Sequence, residues 1–259
     1  MNKNSMLYWY PKIKNLDIPM PETEIIKLTS KEIKDYERGE GDCFNLDRLE
    51  KEVSKIIDSK FELPVFIRTD EISNKHFWKM SCYLDNKKNI KSNLMEIISG
   101  SRLADMFGLS IQAIAVREYI PMDTRFYAFV GEMPVNPERR YFIRDGNVEC
   151  HHPYWIEDAV ERGTPAEKLP KNWRQLAKEM NTETKKEVKL LTGYSKKVSE
   201  AIEGYWSVDF CRAKKGDWYL IDMAEAEKSW HPSSCKHSNM PEEKPAEKPD
   251  FSFLIEKKK

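Results

Sequence analysis

Apolar residues recur at helical spacing in several stretches of the chain. In the segment LDRLEKEVSKIIDSKF, five apolar side chains fall on one helical face with charged residues elsewhere. The segment SKEIKDYERG has a similar pattern, and Ile90–Met106 repeats apolar positions before Gly108, a helix stop signal. Residues 173–203 are rich in lysine and glutamate and predict a long helical region, with a break expected near Gly193.

Short β-rich runs dominate the second half of the chain. The runs IQAIAVREYI, TRFYAFVGEM and RRYFIRDG follow each other closely, with turn residues in VGEM and RDGN, so they predict an antiparallel meander. Before them, LPVFIRTD predicts a strand. After them, YWSVDFCRAKKGDWYLIDM predicts two strands joined by a turn at AKKGD.

Composition and charge narrow the functional classes. The 259 residues include 43 lysines and arginines and 43 aspartates and glutamates, so net charge favours neither nucleic acid nor an anionic membrane as partner. The first fifteen residues contain no continuous apolar run, and no stretch of about 18 apolar residues occurs, so we expect a cytoplasmic protein without a membrane span. Five scattered cysteines do not resemble a disulfide framework and also fit the cytoplasm.

Two aspartates of the predicted hairpin are candidate metal ligands. Asp209 lies on one strand and Asp222 near the end of its partner, so the two carboxylates can face each other across the ladder. Such like charges repel each other unless a cation lies between them, and Mg²⁺ accepts one or two carboxylates together with substrate phosphates. The alternative is a pair of solvated acids at a sheet edge.

Basic residues in two segments are candidate anion ligands. Arginines set into aromatic strands can bind phosphate or carboxylate through two parallel hydrogen bonds, or can pair with neighbouring acids on a solvated face. They are Arg117, Arg125, Arg139, Arg140 and Arg144. The segment FIRTDEISNKHFWK adds Arg68, Lys75 and Lys79, which can surround a polyphosphate or can be ordinary surface charges.

Metal-ligand residue types also occur near the two ends of the second half. They are Cys150, His151, His152, His231, Cys235 and His237. Their spacing fits no standard zinc pattern, so the sequence does not predict a zinc site. His231, in SWHPSSC, can lie on the acceptor side of the acid cluster or can simply be a turn histidine before Pro232. The aromatic residues of YWYP and HHPYW can stack on bases, but no basic patch accompanies them.

The order of these pieces resembles the ATP-grasp superfamily. In that family a strand of the form V-Q-E-[YF]-I-P precedes D-x-R, a hairpin with an arginine, and later V-D and [LI]-E-x-N. This chain has VREYIP, MDTRFYAFV, RRYFIR, SVDF and LIDMA in that order, and the match covers residues 65–230. The resemblance implies an α+β fold of two lobes, each with an antiparallel sheet and helices, and with the nucleotide between them.

The resemblance also implies roles for individual residues. Arg68 stands at the first phosphate-binding lysine, with Lys75 or Lys79 as the second basic group. Glu118, Tyr119 and Ile120 stand at the hinge that receives adenine and ribose. Arg125 and Arg140 match arginines that stabilise the transferred phosphoryl group, and Asp209 and Asp222 match Mg²⁺ ligands.

This chain departs from the superfamily pattern at several positions. Arginine replaces the first lysine, and the glycine-rich phosphate lid has no counterpart. Ala224 stands where a metal-binding asparagine is usual, so Glu225, Glu227 or neither completes the metal shell. These features are similar to a divergent ATP-grasp clade of phages and bacterial conflict systems. A more remote similarity is to the eukaryotic ATP-grasp chaperone that assembles a translation initiation factor.

Three functional hypotheses follow from the resemblance. The first is an ATP- and Mg²⁺-dependent carboxylate–amine ligase with an unknown acceptor, and the second is a nucleotide-gated binding or assembly protein without ligase activity. A nucleic-acid-interacting protein is the third. We expect an N-terminal helical and turn-rich segment at 1–60, a first lobe at 61–115, a second lobe with the metal site at 116–238, and a poorly ordered proline-rich tail at 239–259.

Overall fold

The structure is a computed structural model that describes residues 2–38, 44–105 and 111–238. Gly108 and the tail at 239–259 lie outside the described residues, as does the side chain of Leu103. The helices are α1 Met6–Ile13, α2 Ser30–Glu37, α3 Leu46–Lys60, α4 Ile90–Asp105, α5 Glu157–Gly163, α6 Trp173–Asn181 and α7 Lys185–Ala201. The strands are β1 Thr23–Lys27, β2 Val65–Thr69, β3 Tyr83–Leu84, β4 Ala113–Glu118, β5 Phe126–Ala128, β6 Met133–Val135, β7 Glu138–Arg144, β8 Asn147–Pro153, β9 Tyr205–Arg212 and β10 Trp218–Glu225.

The first lobe is a four-stranded antiparallel sheet covered on one face by α3 and α4. Its strand order is β1-β4-β2-β3. The apolar stripe of α3, with Leu49, Val53 and Ile57 fully buried, packs with Val65 and Ile67 of β2 in one core. Because side chains alternate along a strand, Phe66 and Arg68 project from the opposite face, toward the second lobe.

The N-terminal residues contribute directly to this first sheet. Thr23–Lys27 pairs along its whole length with β4, and Leu28 donates its amide hydrogen to the carbonyl of Gln112. The segment expected to be helical and turn-rich therefore also contains an edge strand. Its apolar pair Ile25 and Ile26 explains the pairing, since Ile26 joins the first core and Ile25 packs against the second.

The second lobe is another four-stranded antiparallel sheet, in the order β10-β9-β7-β8. Helices α7 and α1 cover one face, where Tyr141, Val208 and Leu220 are fully buried. The intervening positions project from the other face toward the first lobe, and they include Glu138, Arg140, Asp209 and Asp222. Alternation along three neighbouring strands thus brings acidic and basic side chains onto one surface.

A small hairpin of β5 and β6 connects the two lobes and packs with α5 and α6 around Phe129, Trp155 and Trp173. Its turn contacts the 3₁₀ helix Lys75–Met80, because Gly131 donates its amide hydrogen to the carbonyl of His76. A Cβ at Gly131 would lie 2.4 Å from the backbone of Phe77 and Trp78, so only glycine fits this approach. The hairpin therefore positions the segment that carries Lys75.

The expected meander is wrong, although its strands exist. The three runs lie in three different sheets, since β4 belongs to the first lobe, β5 to the small hairpin and β7 to the second lobe. The expected helix break near Gly193 is also wrong, because α7 continues through it and the interruption is at 182–184. The predicted hairpin of β9 and β10 is confirmed. No helix among the described residues is long and apolar enough to span a membrane.

Candidate functional site

A cleft between the two sheets holds the candidate site. It contains about 810 Å³ of empty space, its open mouth included. The first lobe lines it with Phe66, Arg68, Lys75 and Arg117, and the second lobe with Asn136, Glu138, Ile221 and Asp222. The connection between the lobes lines a further wall with residues 118–120 and Met122. A largely apolar cleft with both cations and carboxylates at its sides is suited to a charged ligand with its counter-ion.

Arg68 joins the first lobe to the second. Its Nη1 lies 2.9 Å from Oδ1 of Asp222, on β10. Its remaining nitrogens are also engaged, because Nε donates to the carbonyl of Thr69 and Nη2 to that of Glu71. The guanidinium is almost fully buried, with 3% of the side chain exposed. Arg68 thus holds Asp222 in place and presents a fixed positive charge to the cleft wall.

Arg117 makes a second connection to the same point of β10. Its Nη1 donates to the carbonyl of Ile221 at 2.7 Å, while Nε donates to Thr23 Oγ1. The β9–β10 ladder has a bulge between Leu220 and Asp222, and a bulge changes the direction in which the strand presents its side chains. Burial, and then the nearby Arg68, lower the pKa of Arg117 to about 10.

Lys75 is the cation with the most open position in the cleft. Its Nζ lies 3.4 Å from Oε1 of Glu138 and over the rings of Tyr154 and Trp155, with centroids at 4.3 and 4.7 Å. The side chain keeps 23% of its surface exposed. Burial alone would lower the pKa of Lys75, but Glu138, Asp209 and Asp222 raise it above its usual value. The amine is therefore charged at neutral pH.

Three carboxylates from adjacent strands lie on the face of the second sheet that is turned toward the first lobe. The predicted pairing of Asp209 with Asp222 is confirmed, because the two residues are opposite each other in the β9–β10 ladder. Arg140 is opposite Asp209 on the other side and binds both its oxygens at 2.8 Å. Glu138 lies two residues before Arg140 on the same face, and burial raises the pKa of its carboxyl group. Asp209 thus has a permanent cationic partner inside the protein.

The connection between the lobes offers unpaired backbone groups. Glu118 accepts a hydrogen bond from the amide of Glu22 and ends β4. In the described part of the chain, the backbone groups of Tyr119 and Ile120 make no hydrogen bond, although both residues line the cleft. Such groups match the donor and acceptor edge of a heterocyclic base. Tyr119 also packs edge to face on Tyr83.

The structure brings some predicted site residues to the cleft and places others elsewhere. Arg68, Lys75, Glu118, Tyr119, Ile120 and Asp222 line it, and Asp209 with Arg140 lies directly behind. Lys79 is exposed and pairs with Glu132. Arg125 lies at the β5–β6 hairpin, where its amide binds the carbonyl of Val135 and its guanidinium pairs with Asp123.

Glu225 also lies away from the cleft. Its Oε2 accepts a hydrogen bond from Asn4, and its amide donates to Asn4 Oδ1. The reason is strand alternation, because an offset of three residues from Asp222 turns the side chain to the opposite face of β10. Glu227 follows in a short 3₁₀ turn, outside the strand.

Two oxygens among the described residues suit a divalent cation. Asp222 Oδ1 binds Arg68 and the amide of Met223, whereas Oδ2 makes no hydrogen bond within the described chain, and the side chain is 34% exposed. Oε2 of Glu138 is likewise without a partner among these residues. Carboxylate oxygens of this kind fit Mg²⁺, which keeps several water and phosphate ligands besides one or two carboxylates.

Sequence reasoning predicts no role for Glu138 in this site and names Arg117 only as one of five candidate anion-binding arginines, although both residues line the cleft. The available signal was the i, i+2 spacing of Glu138 and Arg140, which puts both on one face of a strand. That signal identifies a face, and it does not reveal that this face borders the cleft.

Comparisons with known proteins identify a matching family model and several similar structures. The chain matches the family model described as ATP-grasp domain, R-2-K clade family 3, over residues 57–242. Among solved structures, Cdc123 from Schizosaccharomyces pombe is similar, with 15% identity and a TM-score of 0.49 over 87% of this chain and 86% of that one. A RimK domain protein ATP-grasp from Sphaerobacter thermophilus has 12% identity and a TM-score of 0.44 over 86% of this chain.

A third similar structure is the D-alanine–D-alanine ligase from Bacillus anthracis complexed with ATP, with 13% identity and a TM-score of 0.43 over 86% of this chain. This chain spans 59% of the RimK domain protein and 53% of the D-alanine ligase. At these values, neither a substrate nor an activity follows from the structural similarity. No curated protein matches the chain by sequence.

Proposed function

Because this chain belongs to the ATP-grasp domain family of the R-2-K clade, family 3, we propose that its cleft binds Mg-ATP and activates a carboxylate for attack by an amine. The α+β fold expected from the sequence is confirmed together with the superfamily. One observation carries the nucleotide proposal. The cleft brings Lys75 and Arg68 of the first lobe against Asp222 of the second, beside the unpaired backbone of Tyr119 and Ile120.

The first lobe and the connection between the lobes would bind different parts of the nucleotide. Lys75, exposed in the cleft and charged, would bind the phosphate oxygens, while Arg68 supplies a fixed charge beside them. Tyr119 and Ile120 would receive the adenine edge through their backbone groups, and the carboxylate of Glu118 would receive the ribose hydroxyls. In this proposal the expected lobe boundary at 115/116 moves to the end of β4 at Glu118, because β4 pairs with β1 and β2. The first lobe is then 61–118 with β1 added, and the second lobe ends at 238.

Asp222 and Glu138 would hold the metal ion. A bound Mg²⁺ supplies charge neutralisation for the transferred phosphoryl group. The chain's own contribution is to keep Asp222 oriented through Arg68 and the amide of Met223, so that Oδ2 points away from both. Asp209 supports the site indirectly, because it fixes Arg140 beneath the same face.

The proposed ligase reaction has two steps. An acceptor carboxylate attacks the γ-phosphorus, the bond to the bridging oxygen breaks, and ADP leaves. An amine then attacks the acyl carbonyl, loses a proton and displaces inorganic phosphate. The positive charges of Lys75 and Arg68 stabilise the charge that develops on the transferred group, which is the main requirement of phosphoryl transfer.

A second candidate function is a nucleotide-gated binding or assembly protein without ligase activity. One observation favours it. Both oxygens of Asp209 bind Arg140, and Ala224 has no ligand atom, so the metal shell is poorer than the superfamily pattern expects. A protein with this shell would bind ATP but would transfer its phosphoryl group slowly or not at all.

Tryptophan fluorescence and phosphate release test the proposal. Trp78 and Trp155 line the cleft, so ATP added with and without MgCl₂ should change the emission if the nucleotide binds there. Release of ADP and phosphate on adding panels of small carboxylates and amines supports the ligase. Tight ATP binding without turnover on any acceptor supports the binding protein, and no ATP binding with Mg²⁺ present contradicts both.

A further inference from the structure

Four metal-ligand side chains converge on the cleft-facing side of the second sheet, beyond Arg140. They are Cys150, His152, His231 and Cys235, and their nearest ligand atoms all lie within 4.8 Å of one another. Cys150 Sγ and His231 Nε2 are 3.1 Å apart. In a tetrahedral zinc site, bonds of about 2.3 Å to sulfur and 2.0 to 2.1 Å to nitrogen put neighbouring ligand atoms roughly 3.3 to 3.8 Å apart.

Two separate parts of the chain build this cluster. Cys150 and His152 are two residues apart on β8, so they share one face of the strand, whereas His151 projects from the other face, stacks on Tyr141 and binds Glu183. His231 and Cys235 come from the segment after β10, where the amide of Cys235 donates to the carbonyl of Pro232. A turn there brings both residues to the strand.

The cluster lacks other partners that would explain it. His152 Nε2 is buried and has no hydrogen-bond partner among the described residues. His231 is 4% exposed, and it packs against Phe142 with ring centroids 4.1 Å apart. Glu149, which precedes Cys150 in the chain, pairs with Arg144 and His237 instead. A buried nitrogen without a partner costs free energy unless something binds it.

We propose that Cys150, His152, His231 and Cys235 form a structural zinc site. Two thiolates and two imidazoles in a compact set select Zn²⁺ over Mg²⁺ or Ca²⁺, which prefer oxygen. Four protein ligands complete a tetrahedral shell and leave no position for a substrate, so the site is structural and does not take part in catalysis. The sequence spacing, C-x-H followed by H-x-x-x-C, hid the site because 78 residues separate its two halves.

The proposed zinc site would help to orient Arg140. Trp230 directly precedes His231, and its carbonyl accepts a hydrogen bond from Arg140 Nη1 at 3.2 Å. The same arginine holds Asp209 through its other two nitrogens. A metal that fixes His231 to β8 therefore also fixes the carbonyl that orients Arg140. The zinc proposal stands independently of the proposed function, since none of its four ligands lines the nucleotide cleft.

Metal analysis of the full chain tests the proposal. Protein expressed with zinc in the medium and purified without chelators should contain about one zinc per chain by elemental mass spectrometry. His152→Gln should lose the metal, and His151→Gln should retain it. These two variants are matched, because they change adjacent histidines of one strand that face opposite sides.

Cobalt substitution tests the ligands in the wild-type chain itself, so the proposal can be tested even if a variant loses stability. Co²⁺ added to the metal-stripped wild-type chain should give thiolate charge-transfer absorption and the d–d bands of a tetrahedral site, and Cys235→Ser should lose most of the former. Zinc addition should also raise the Tm of the stripped wild type and of His151→Gln. Three results would overturn the proposal. They are little zinc and no cobalt spectrum in the wild type, a disulfide joining Cys150 to Cys235 in protein purified with a reductant present, and equal zinc loss in both histidine variants.

Discussion

Arg68 Nη1 on β2 lies 2.9 Å from Asp222 Oδ1 on β10, so one ion pair connects the two lobes at the floor of the cleft. The arginine is buried and bonded through all three nitrogens, whereas the aspartate is 34% exposed and keeps one oxygen free of hydrogen bonds within the described chain. The arginine therefore acts as the fixed partner. Asp222 is the member of the pair that can accept a further ligand.

Asp222→Asn is expected to remove the effect of Mg²⁺ on ATP affinity. Asparagine keeps an oxygen for Arg68 and for the amide of Met223, so the fold should remain, but a neutral amide binds Mg²⁺ weakly. In fluorescence titrations with MgCl₂ we expect the Kd for ATP to rise at least about tenfold, equivalent to about 1.4 kcal/mol. Asp217→Asn, at an exposed position in the turn of the same hairpin, is the control and should bind like the wild type. An unchanged Mg²⁺ dependence in Asp222→Asn would refute the metal assignment.

Lys75 and Lys79 form a matched pair on one 3₁₀ helix. Lys75 points into the cleft toward Glu138, while Lys79 is 63% exposed and pairs with Glu132 at the surface. We expect Lys75→Met to weaken ATP binding about tenfold or more, because a charge-assisted contact to phosphate contributes roughly 1.5 to 3 kcal/mol. Lys79→Met should leave the Kd within about twofold, since Lys79 does not line the cleft and pairs with Glu132 at the surface. Calorimetric titration with ATP measures the Kd of both variants. An equal loss of ATP affinity in the two variants would exclude Lys75 as the specific phosphate ligand.

Asp209→Asn should mainly reduce stability. The substitution leaves the buried guanidinium of Arg140 without a counter-charge, and breaking a buried pair typically costs about 3 to 5 kcal/mol. For a chain of this size that corresponds to a Tm decrease of roughly 6 to 20 °C. Asp222→Asn, whose carboxylate is more exposed, should change Tm less. If Asp209→Asn keeps the wild-type Tm but loses Mg²⁺ dependence, Asp209 is a metal ligand and its pairing with Arg140 is secondary.

Local sequence patterns predicted most helices and strands but not the sheets they form. The helices α3 and α4 and the strands β2, β9 and β10 follow from apolar spacing and turn residues within each segment. Strand partners depend on contacts between distant residues, such as Thr23 with Arg117, and local spacing contains no information about them. This explains why the predicted meander was wrong although its strands exist.

The site was predictable only where two of its members are close in sequence or share a hairpin. The Asp209–Asp222 pairing could be predicted because a short turn joins β9 to β10. The contact between Arg140 and Asp209 spans 69 residues, and that between Lys75 and Glu138 spans 63. Contacts between distant residues determine whether a charged side chain faces a ligand or is paired within the protein. The sequence alone therefore does not distinguish Lys75 from Lys79 as the phosphate-binding residue.

Glu71 should make the stability of the fold depend on pH. Burial, followed by repulsion from Asp70, raises the pKa of its carboxyl group to about 8, and the attraction of Lys228 and Arg68 only partly opposes this. Oε1 accepts a hydrogen bond from Asn2, while Oε2 is buried without a partner among the described residues. Between about pH 4.5 and 8 the folded chain therefore binds a proton that the unfolded chain has released.

Stability consequently falls as pH rises through this range, because the folded state must lose a proton that it binds more tightly than the unfolded state does. Glu71→Gln is permanently neutral and keeps the oxygen that Asn2 contacts, so it should lose this part of the pH dependence. Urea unfolding at about pH 5.5 and about pH 8.5 should show a smaller decrease in the free energy of unfolding for Glu71→Gln than for the wild type. Glu62→Gln, at an exposed position, should behave like the wild type. Equal decreases in all three proteins would mean that Glu71 is ionised in the folded state at neutral pH.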